Sequence, residues 1–469
     1  MISLRVEEVV QATQGQLVCQ GEDSGVITNI VIDSRLVCPG AMFVAIVGES
    51  MDGHIFLESA HQEGCKFFLV SNESYITDRF KDSTVIKVDN TEIGLGLLGK
   101  YYRDKFDIPF VGITGSVGKT TTRDMVYSVL ASKFNTIKNE KNYNNQFGVP
   151  LTLFRLEPSH QCAVIEMGMC DFGEIEYLAN IVRPKIGIIT NIGMSHIEHL
   201  GSQEGIFKAK MEITSGFDRA SSLIINGDDR FLRAELERYR NSNKDSYKVY
   251  SFGMELQNDL CCKSQEIIDH DKTRFTCGFE GQSYDFTIPC LGEHNVKNAM
   301  AAILAGHIMG MTMEEISNGL MDFVATENRQ DIIKTDRFVL INDVYNASPD
   351  SMIAALKVLK LYKDNRRVAI LGDCLEMGQF AEEAHRKVGY QSIDKADIII
   401  TTGQAARFIG VEAMERGFDL SRVFHFESKD ELICALPEVV DDGDVILLKA
   451  SRGMKFEDIV EVLKGGCQC

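Results

Sequence analysis

Residues 112–122, with the sequence GITGSVGKTTT, contain Gly115 and Gly118 just ahead of a lysine that is followed by three threonines. Glycines let backbone amides curl towards a phosphate group, and the start of a helix adds a favourable dipole. Lys119 could then reach the terminal phosphates of a nucleotide, and Thr120 could offer its hydroxyl to Mg²⁺. The strict pattern requires a glycine five residues before Gly118, where this chain has Ile113. The segment therefore predicts a shortened phosphate-binding loop, with an incidental glycine turn as the alternative.

Two further polar residues follow apolar runs that predict buried strands. Glu166 ends the run CAVIE, and its carboxylate could join Thr120 in binding magnesium. His196 comes just after the run IGIITNIG. Taken singly, Glu166 could be a solvated acid, and a lone histidine is usually structural. The spacing leaves both interpretations open.

Lys210 lies inside an apolar stripe of the predicted helix EGIFKAKMEIT. It is four residues after Ile206 and three before Ile213, which places all three on one helical face. A lysine on a buried face favours the neutral amine or a partner, and a neutral amine can react with carbon dioxide to form a carbamate. The alternative is a packed stem whose ammonium group reaches solvent.

The elements that must position these residues fall into three blocks. Residues 1–107 predict a small mixed α/β domain. Residues 108–326 begin with the strand FVGIT and predict a mostly parallel sheet of the P-loop ATPase type. Residues 327–469 repeat the alternation of strands and helices, which predicts a Rossmann-like domain. Ligands of such sheets lie beyond the carboxyl ends of the strands.

Composition narrows the function further. The 469 residues are 44% hydrophobic and 25% charged, as expected of a soluble globular protein, and no run approaches the length of a membrane span. A formal charge of -19 argues against a nucleic-acid partner. The thirteen cysteines lack metal-ligand spacing, so we expect reduced and mostly buried thiols. The acidic N-terminus does not resemble a targeting signal, and a cytoplasmic location is the expectation.

Together these segments resemble the Mur ligase family, the ATP-dependent amide-forming enzymes of peptidoglycan assembly. The loop GSVGKTT matches that family's shorter Gly-x-x-Gly-Lys-Thr form, which explains the failure of the strict pattern. The resemblance spans the whole chain, and further motifs occur in the family's order: NYNNQFGVPLTL, EMGM, TNIGMSHIEHLGS, KAKMEI, GEHNVKNAMAA, NDVYNASPDSM and LGDCLEMG.

The resemblance implies a set of site residues. Contacts to ATP are implied for Gly115, Ser116, Val117, Gly118, Lys119, Thr120, Thr121, His294, Asn295, Asn298, Arg329 and Asp343. One Mg²⁺ would be held by Thr120 and Glu166, and a second by His196 and carbamylated Lys210. Ser34 and Arg35 are candidates for contacts to a UDP group, and Tyr345 and Asn346 for contacts to the incoming dipeptide.

The resemblance also implies a reaction. ATP would phosphorylate the terminal carboxylate of a UDP-muramyl-tripeptide, and the amine of D-alanyl-D-alanine would displace the phosphate. We expect a monomer whose first domain binds the UDP group, whose second binds ATP and whose third carries the dipeptide. The alternatives are a sister ligase that adds a different amino acid, a folate-glutamate ligase and a nucleotide-binding protein without catalysis. Tyr345 and the LGDCLEMG run argue against a sister ligase.

Overall fold

The computed structural model describes residues 1–21, 25–48, 51–242, 246–269 and 271–465. Within these ranges, three β-sheets of five, nine and six strands follow one another along the chain. The predicted α/β class is therefore confirmed. The boundaries placed after residues 107 and 326 lie outside helices and strands, and as domain limits they remain predictions.

The first sheet has the strand order β1-β5-β4-β3-β2, in which only β1 runs antiparallel to its neighbour. Its central strands are buried on both faces, as expected of parallel strands covered by helices. The elements are α1 (Val6–Thr13), β1 (Gln16–Cys19), β2 (Asn29–Val31), β3 (Ala41–Val44), α2 (Leu57–Gln62), β4 (Phe67–Val70), β5 (Thr84–Lys87) and α3 (Thr91–Arg103).

Helix α3 links the first sheet to the elements that follow it. It packs against α1 on one side, and a Cβ added at Gly96 would lie 1.8 Å from Tyr177 Oη. Tyr102 Oη donates to Leu156 O at 2.8 Å and accepts from Ile2 N at 2.6 Å. The first two sheets consequently share one continuous apolar core.

The central sheet has the order β14-β13-β12-β11-β10-β9-β6-β8-β7 and is parallel except at one edge, where β13 pairs antiparallel with β12 and β14. The elements are β6 (Phe110–Thr114), α4 (Lys119–Ala131), β7 (Thr136–Lys138), α5 (Gly148–Leu153), β8 (Cys162–Glu166), α6 (Glu174–Val182), β9 (Ile186–Ile189), α7 (Ile197–Leu200), α8 (Gln203–Met211), β10 (Ser222–Asn226), α9 (Arg230–Arg240), β11 (Lys248–Gly253), β12 (Leu260–Asp269), β13 (Lys272–Phe279), β14 (Gln282–Ile288), α10 (Glu293–Ile308) and α11 (Met313–Met321).

The third sheet has the order β15-β16-β20-β17-β18-β19 and is parallel apart from the edge strand β15. Its elements are β15 (Asp331–Lys334), β16 (Val339–Asn342), α12 (Pro349–Leu359), β17 (Arg367–Leu371), α13 (Ala381–Ser392), β18 (Ile398–Thr402), α14 (Arg407–Glu415), β19 (Val423–Phe426), α15 (Lys429–Val439), β20 (Val445–Lys449) and α16 (Glu457–Leu463).

Eleven of the thirteen cysteines lie in the described ranges, and ten of these, all but Cys434, are free thiols. Six of them are buried, and Cys38, Cys170 and Cys434 are exposed. Cys467 and Cys469 lie outside the described residues. None of the helices in the described part of the chain combines the length and apolar character that crossing a bilayer requires.

Candidate active site

The phosphate loop, residues 115–118, joins the end of β6 to the start of α4. Gly118 is the N-cap of α4 with φ of 84°, and Gly115 has φ of 151°. A Cβ at Gly115 would lie 1.8 Å from Thr190 Oγ1, so the loop and the end of β9 approach too closely for any side chain there. Glycine at both positions is therefore required by the backbone.

The side chain of Lys119 folds back onto the loop and bonds to its carbonyl oxygens. Its Nζ donates to Gly115 O at 2.6 Å and to Ser116 O at 3.2 Å. Burial lowers the pKa of Lys119, and nearby Arg329 lowers it further, while Glu166 opposes both effects. The nearby carboxylate does not fully balance the positive charge of Lys119, so this charge is suited to neutralise a phosphate.

Thr120 and Glu166 place two oxygens side by side beneath the loop. Thr120 Oγ1 lies 2.9 Å from Glu166 Oε2, and both side chains are buried. Strand β6 pairs with β8 in parallel register, with Ile113 opposite Glu166, so the end of β8 lies directly beside the loop. The predicted proximity of Glu166 and Thr120 is thus found in the structure.

Residues that the sequence did not single out fix the Glu166 carboxylate. Asn144 Nδ2 donates to Oε1 at 2.8 Å, and the buried guanidinium of Arg123 lies 3.4 Å from Oε2. Arg123 also pairs with Asp124 at 2.8 Å. Asn144 belongs to the NYNNQFG motif, which marked the segment as similar to the family but did not indicate what Asn144 does. Nothing in the sequence pointed to Arg123, because a charged residue in a helix is ordinarily exposed.

His196 lies at the start of α7 with a left-handed φ of 62°. Its Nδ1 is 3.0 Å from Glu376 Oε2 and makes no hydrogen bond within the described part of the chain. Glu376 itself has φ of 62° and belongs to the LGDCLEMG motif of the third sheet. The neighbouring His196 lowers the pKa of Glu376. The structure therefore brings these residues together across two sheets.

Lys210 is 1% exposed on α8, whereas Lys208 on the same helix is exposed. No hydrogen bond or ion pair satisfies its ammonium group among the described residues. Burial lowers the pKa of Lys210 well below its usual value, and the charge of Lys119 lowers it further. Packing thus favours the neutral amine, which the helical spacing had left open against an ammonium group that reaches solvent.

A cavity of about 360 Å³ opens on the helix side of the loop. It is lined by Val117, Gly118, Thr121, His294, Asn295, Asn298, Arg329, Asp343, Tyr345 and Asn346 among others. Asn298 Oδ1 accepts from Thr122 Oγ1 at 3.1 Å, and Asn295 Nδ2 donates to Gln330 Oε1 at 2.7 Å. Burial lowers the pKa of His294, which keeps its imidazole neutral. The structure brings the predicted nucleotide residues on α10 to one cavity with the loop.

Arg329 reaches this cavity from the segment before β15. Its neighbours Asn328 and Gln330 have φ of 61° and 59°, a conformation that is uncommon outside glycine. The guanidinium carbon lies 4.2 Å from the centroid of the Tyr345 ring, and its Nε is buried without a hydrogen-bond partner. An unsatisfied buried donor of this kind is suited to an anionic ligand.

Asp343 follows β16 and is held by a residue that sequence analysis missed. Lys449 Nζ, at the end of β20, donates to Asp343 Oδ2 at 2.6 Å and to Asn346 O at 3.0 Å. Lys449 is buried and lines the same cavity. Its place at the end of the run DVILLK was an available signal, because a lysine rarely ends a buried strand without a partner.

A second cavity of about 650 Å³ lies on the other side of the loop. Its lining includes Ser116, Lys119, Thr120, Glu166, His196, Tyr345, Asn346 and Glu376. Arg329, Tyr345 and Asn346 line both cavities, so the two meet above the phosphate loop. Gly115 and Lys210 are buried and line neither cavity.

Ser34 and Arg35 lie far from this arrangement in the chain and line neither of the two cavities. They belong to a short 3-10 turn, and the Arg35 guanidinium pairs with Asp33 at 2.7 Å on the surface. The neighbouring Asp33 raises the pKa of Arg35. Their assignment to a UDP group remains a prediction.

The oxygens of Thr120 and Glu166 fit a magnesium ion. Mg²⁺ prefers oxygen ligands and usually combines one or two protein ligands with waters and phosphate oxygens. In the described ranges, no group of three or more His, Cys, Asp or Glu side chains forms a metal cage. A pair of oxygens beside a phosphate loop therefore matches the donor set of a nucleotide-bound magnesium.

Comparison with known proteins agrees with this geometry. The Mur ligase middle domain matches residues 113–306, the Mur ligase glutamate ligase domain matches 328–452, and the Mur ligase family catalytic domain matches 26–95. The UDP-N-acetylmuramoyl-tripeptide–D-alanyl-D-alanine ligase of Bacillus subtilis (strain 168) is 37% identical over 467 residues, covering 99% of each chain. The enzyme of the same name from Escherichia coli (strain K12) is 32% identical over the whole of both chains.

Solved structures give the same result. A crystal structure of MurF from Acinetobacter baumannii superposes with a TM-score of 0.89 at 30% identity and covers 99% of each chain. The likeness extends through all three sheets rather than through the nucleotide site alone. With this agreement in sequence and architecture from end to end, the chain belongs to the Mur ligase family.

Proposed function

We propose that this protein joins D-alanyl-D-alanine to UDP-N-acetylmuramoyl-tripeptide in peptidoglycan precursor synthesis, with conversion of ATP to ADP and phosphate. Membership of the family makes it an ATP-dependent amide ligase. The observation that carries the proposal is the meeting of two cavities above one phosphate loop. A nucleotide in the smaller cavity would direct its terminal phosphate into the larger one, where a carboxylate and an amine can be accommodated.

The chemistry follows from the poor electrophilicity of a carboxylate. Transfer of the γ-phosphate of ATP to the tripeptide carboxylate gives an acyl phosphate and ADP. The amine of the dipeptide then attacks the acyl carbon, loses a proton, and expels inorganic phosphate. Because two anions must meet in the first step, cationic groups are needed beside the phosphates.

Lys119 and Arg329 supply that positive charge from opposite sides. Lys119 is the first residue of α4 and donates to the loop at Gly115 O, and Arg329 reaches the point where the two cavities meet. Mg²⁺ bound to Thr120 and Glu166 would add charge neutralisation at the phosphates. The orientation of the carboxylate by Asn144 and Arg123 then serves to keep the oxygen pair in place.

We further propose that Lys210 is carbamylated. Addition of carbon dioxide to its neutral amine gives a carbamate and releases a proton, which turns an uncharged buried group into an anion. The support is the burial of Lys210, the absence of a described partner and the unfavourable charge of nearby Lys119. His196 and the carbamate would then be the protein ligands of a second magnesium ion.

The roles of the three regions remain part of this proposal. Residues 1–107 would bind the UDP group, with Ser34 and Arg35 in contact with it. Residues 108–326 would bind ATP. Residues 327–469 would bind the dipeptide through Tyr345 and Asn346. A cytoplasmic monomer is the form in which we expect the enzyme to act, because its nucleotide substrates are cytoplasmic metabolites.

The test is a phosphate-release assay on the purified full chain. UDP-muramyl peptides of increasing length, with diaminopimelate or lysine as the third residue, are crossed with D-alanyl-D-alanine, D-glutamate and diamino acids. We expect turnover only when a tripeptide and the dipeptide are both present. Turnover with D-glutamate or a diamino acid in place of the dipeptide would instead identify a sister ligase.

A further inference from the structure

Residues 190–196, which follow β9, hold the two central residues of the phosphate loop. Asn191 accepts from Ser116 N through its main-chain oxygen at 3.1 Å and from Val117 N through Oδ1 at 2.9 Å. Gly193 N donates to Ser116 Oγ at 2.9 Å. Thr190 Oγ1 donates to Val117 O at 2.6 Å. The shape of the phosphate loop therefore depends on where this segment lies.

The same segment is in contact with the region that carries the third sheet. Met194 N donates to Asp350 Oδ2 at 3.1 Å. Asp350 lies in the first turn of α12, and its other carboxylate oxygen is 3.1 Å from Lys387 Nζ on α13. Glu376, close to His196, provides a second contact between the two regions. Asp350 itself lines neither cavity.

The backbone of Gly193 lies between Asp350 and the phosphate loop, with no room for a side chain. A Cβ at this position would lie 2.3 Å from Asp350 Oδ2 and 3.2 Å from Ser116 Cβ. A side chain there could not fit without moving the carboxylate away from Met194. Because residue 193 has no side chain, a short series of hydrogen bonds can run from Asp350 on α12, through the amides of residues 194 and 193, to Ser116.

We propose that Asp350 is a positioning residue that couples docking of the third-sheet region to phosphate binding. When α12 is docked, its carboxylate fixes the Met194 amide, and the segment in turn fixes Ser116 and Val117 in the shape that holds the β- and γ-phosphates. The inference rests on the proposed function only in taking ADP and ATP as the ligands of the loop. Its consequence is that nucleotide phosphates are held firmly only in the docked arrangement.

Substitutions at Asp350 separate geometry from charge. Asp350→Glu keeps the charge at the start of α12 but moves the oxygens by one methylene group towards Gly193. Asp350→Asn removes the charge and keeps an oxygen at the position that accepts from Met194 N. Lys387→Ala is the matched control, because it removes the other partner of Asp350 and leaves the contact with Met194.

The measurement is displacement of a fluorescent ADP analogue from the full chain by ADP and, separately, by AMP. Loss of one charge-assisted hydrogen bond predicts a weakening of ADP binding by about tenfold in Asp350→Ala and Asp350→Glu. AMP, which lacks the outer phosphates, should bind all variants alike. Asp350→Asn should lie nearer to the wild type than Asp350→Glu, and Lys387→Ala should match the wild type.

A double-mutant cycle tests the connection through Gly193. Gly193→Ala should weaken ADP binding in the wild-type chain and have a much smaller effect when Asp350 is already alanine. The inference is overturned if ADP binding is unchanged in both Asp350→Ala and Asp350→Glu, or if Asp350→Asn is weakened more than Asp350→Glu. Equal weakening of ADP and AMP, or additive effects in the cycle, would also overturn it.

These outcomes are separable from the fate of the proposed function. A wild-type chain that binds ADP but forms no amide would refute the ligase assignment and leave the role of Asp350 intact. A fully active ligase whose preference for ADP over AMP responds to neither Asp350→Ala nor Asp350→Glu would refute the positioning role alone.

Discussion

Thr120 Oγ1 and Glu166 Oε2 lie 2.9 Å apart, although 46 residues separate them in the chain. The contact exists because β6 and β8 are adjacent parallel strands, whose carboxyl ends reach the same edge of the central sheet. A hydroxyl and a carboxylate at this distance can bind one small cation together.

Replacing Thr120 with valine tests this pair, because valine keeps the shape and removes the hydroxyl. We expect turnover to fall on the order of 100-fold, as for loss of one group that stabilises transition-state charge. The Mg²⁺ concentration at half-maximal activity should rise. Thr152→Val is the control, since that buried hydroxyl bonds only to its own helix at Gly148 O. Normal Mg²⁺ dependence in Thr120→Val would contradict the assignment.

Removing the Lys210 amine should abolish the carbamate and most of the activity. In Lys210→Ala we expect phosphate release to fall on the order of 100-fold, with partial recovery when a short carboxylic acid is added. Lys208→Ala, on the exposed face of the same helix, should retain normal activity.

A spectroscopic measurement tests the carbamate independently of turnover. In buffer containing ¹³C-labelled bicarbonate, the wild-type protein should give a carbamate signal in ¹³C NMR that Lys210→Ala lacks. Full activity in the unrescued variant, or the same signal in both proteins, would remove Lys210 from the site.

Arg123 contributes to stability through two buried carboxylates, Asp124 and Glu166. Arg123→Met keeps much of the side-chain volume but leaves both acids with less compensation. Breaking a buried ion pair in this way lowers the free energy of unfolding by about 3–5 kcal/mol. Urea denaturation measures the change. Arg155→Met, which removes an exposed pair with Glu140, should change it by less than about 1 kcal/mol.

Tyr345 is approached by two guanidinium groups, those of Arg329 at 4.2 Å and Arg452 at 5.5 Å from its ring centroid. Tyr345→Leu removes the aromatic face, and loss of about 1–2 kcal/mol of cation–π attraction predicts a fall in kcat/KM of roughly 5- to 30-fold. Tyr345→Phe keeps the face and should stay close to the wild type. A KM increase for D-alanyl-D-alanine alone would support the dipeptide role, and an increase for ATP alone would contradict it.

The ion pair of Glu8 on α1 with Lys105, just after α3, predicts a pH dependence of stability. Lys105 and the Arg5 amide lower the pKa of Glu8 from 4.5 to about 2. Glu8 therefore stabilises the fold fully above pH 4.5, and this contribution is lost as the pH falls towards 2. The gap in unfolding free energy between the wild type and Glu8→Gln should narrow over that range. A gap that stays constant from pH 6 to pH 3 would show that the charge is not responsible.

The sequence was informative where one element decided the outcome. Helical spacing placed Lys210 on the apolar face of its helix, and the end of an apolar run predicted the place of Glu166. It failed where distant elements meet: nothing near His196 pointed to Glu376, because docking of the third sheet brings them together. Strand β12 was also missed, since its last seven residues are exposed and show no alternation of apolar and polar residues.

Helix α3 packs against elements of both of the first two sheets. Gly96 fits against Tyr177, and Tyr102 bonds to Leu156 and to Ile2 near the N-terminus. A chimaera that exchanged residues 1–107 between related ligases would import a helix shaped for a different neighbour. Transplanting a new nucleotide-sugar specificity would therefore require co-transfer of the matching surface of α5 and α6, so the natural unit of recombination is larger than the first sheet and its helices.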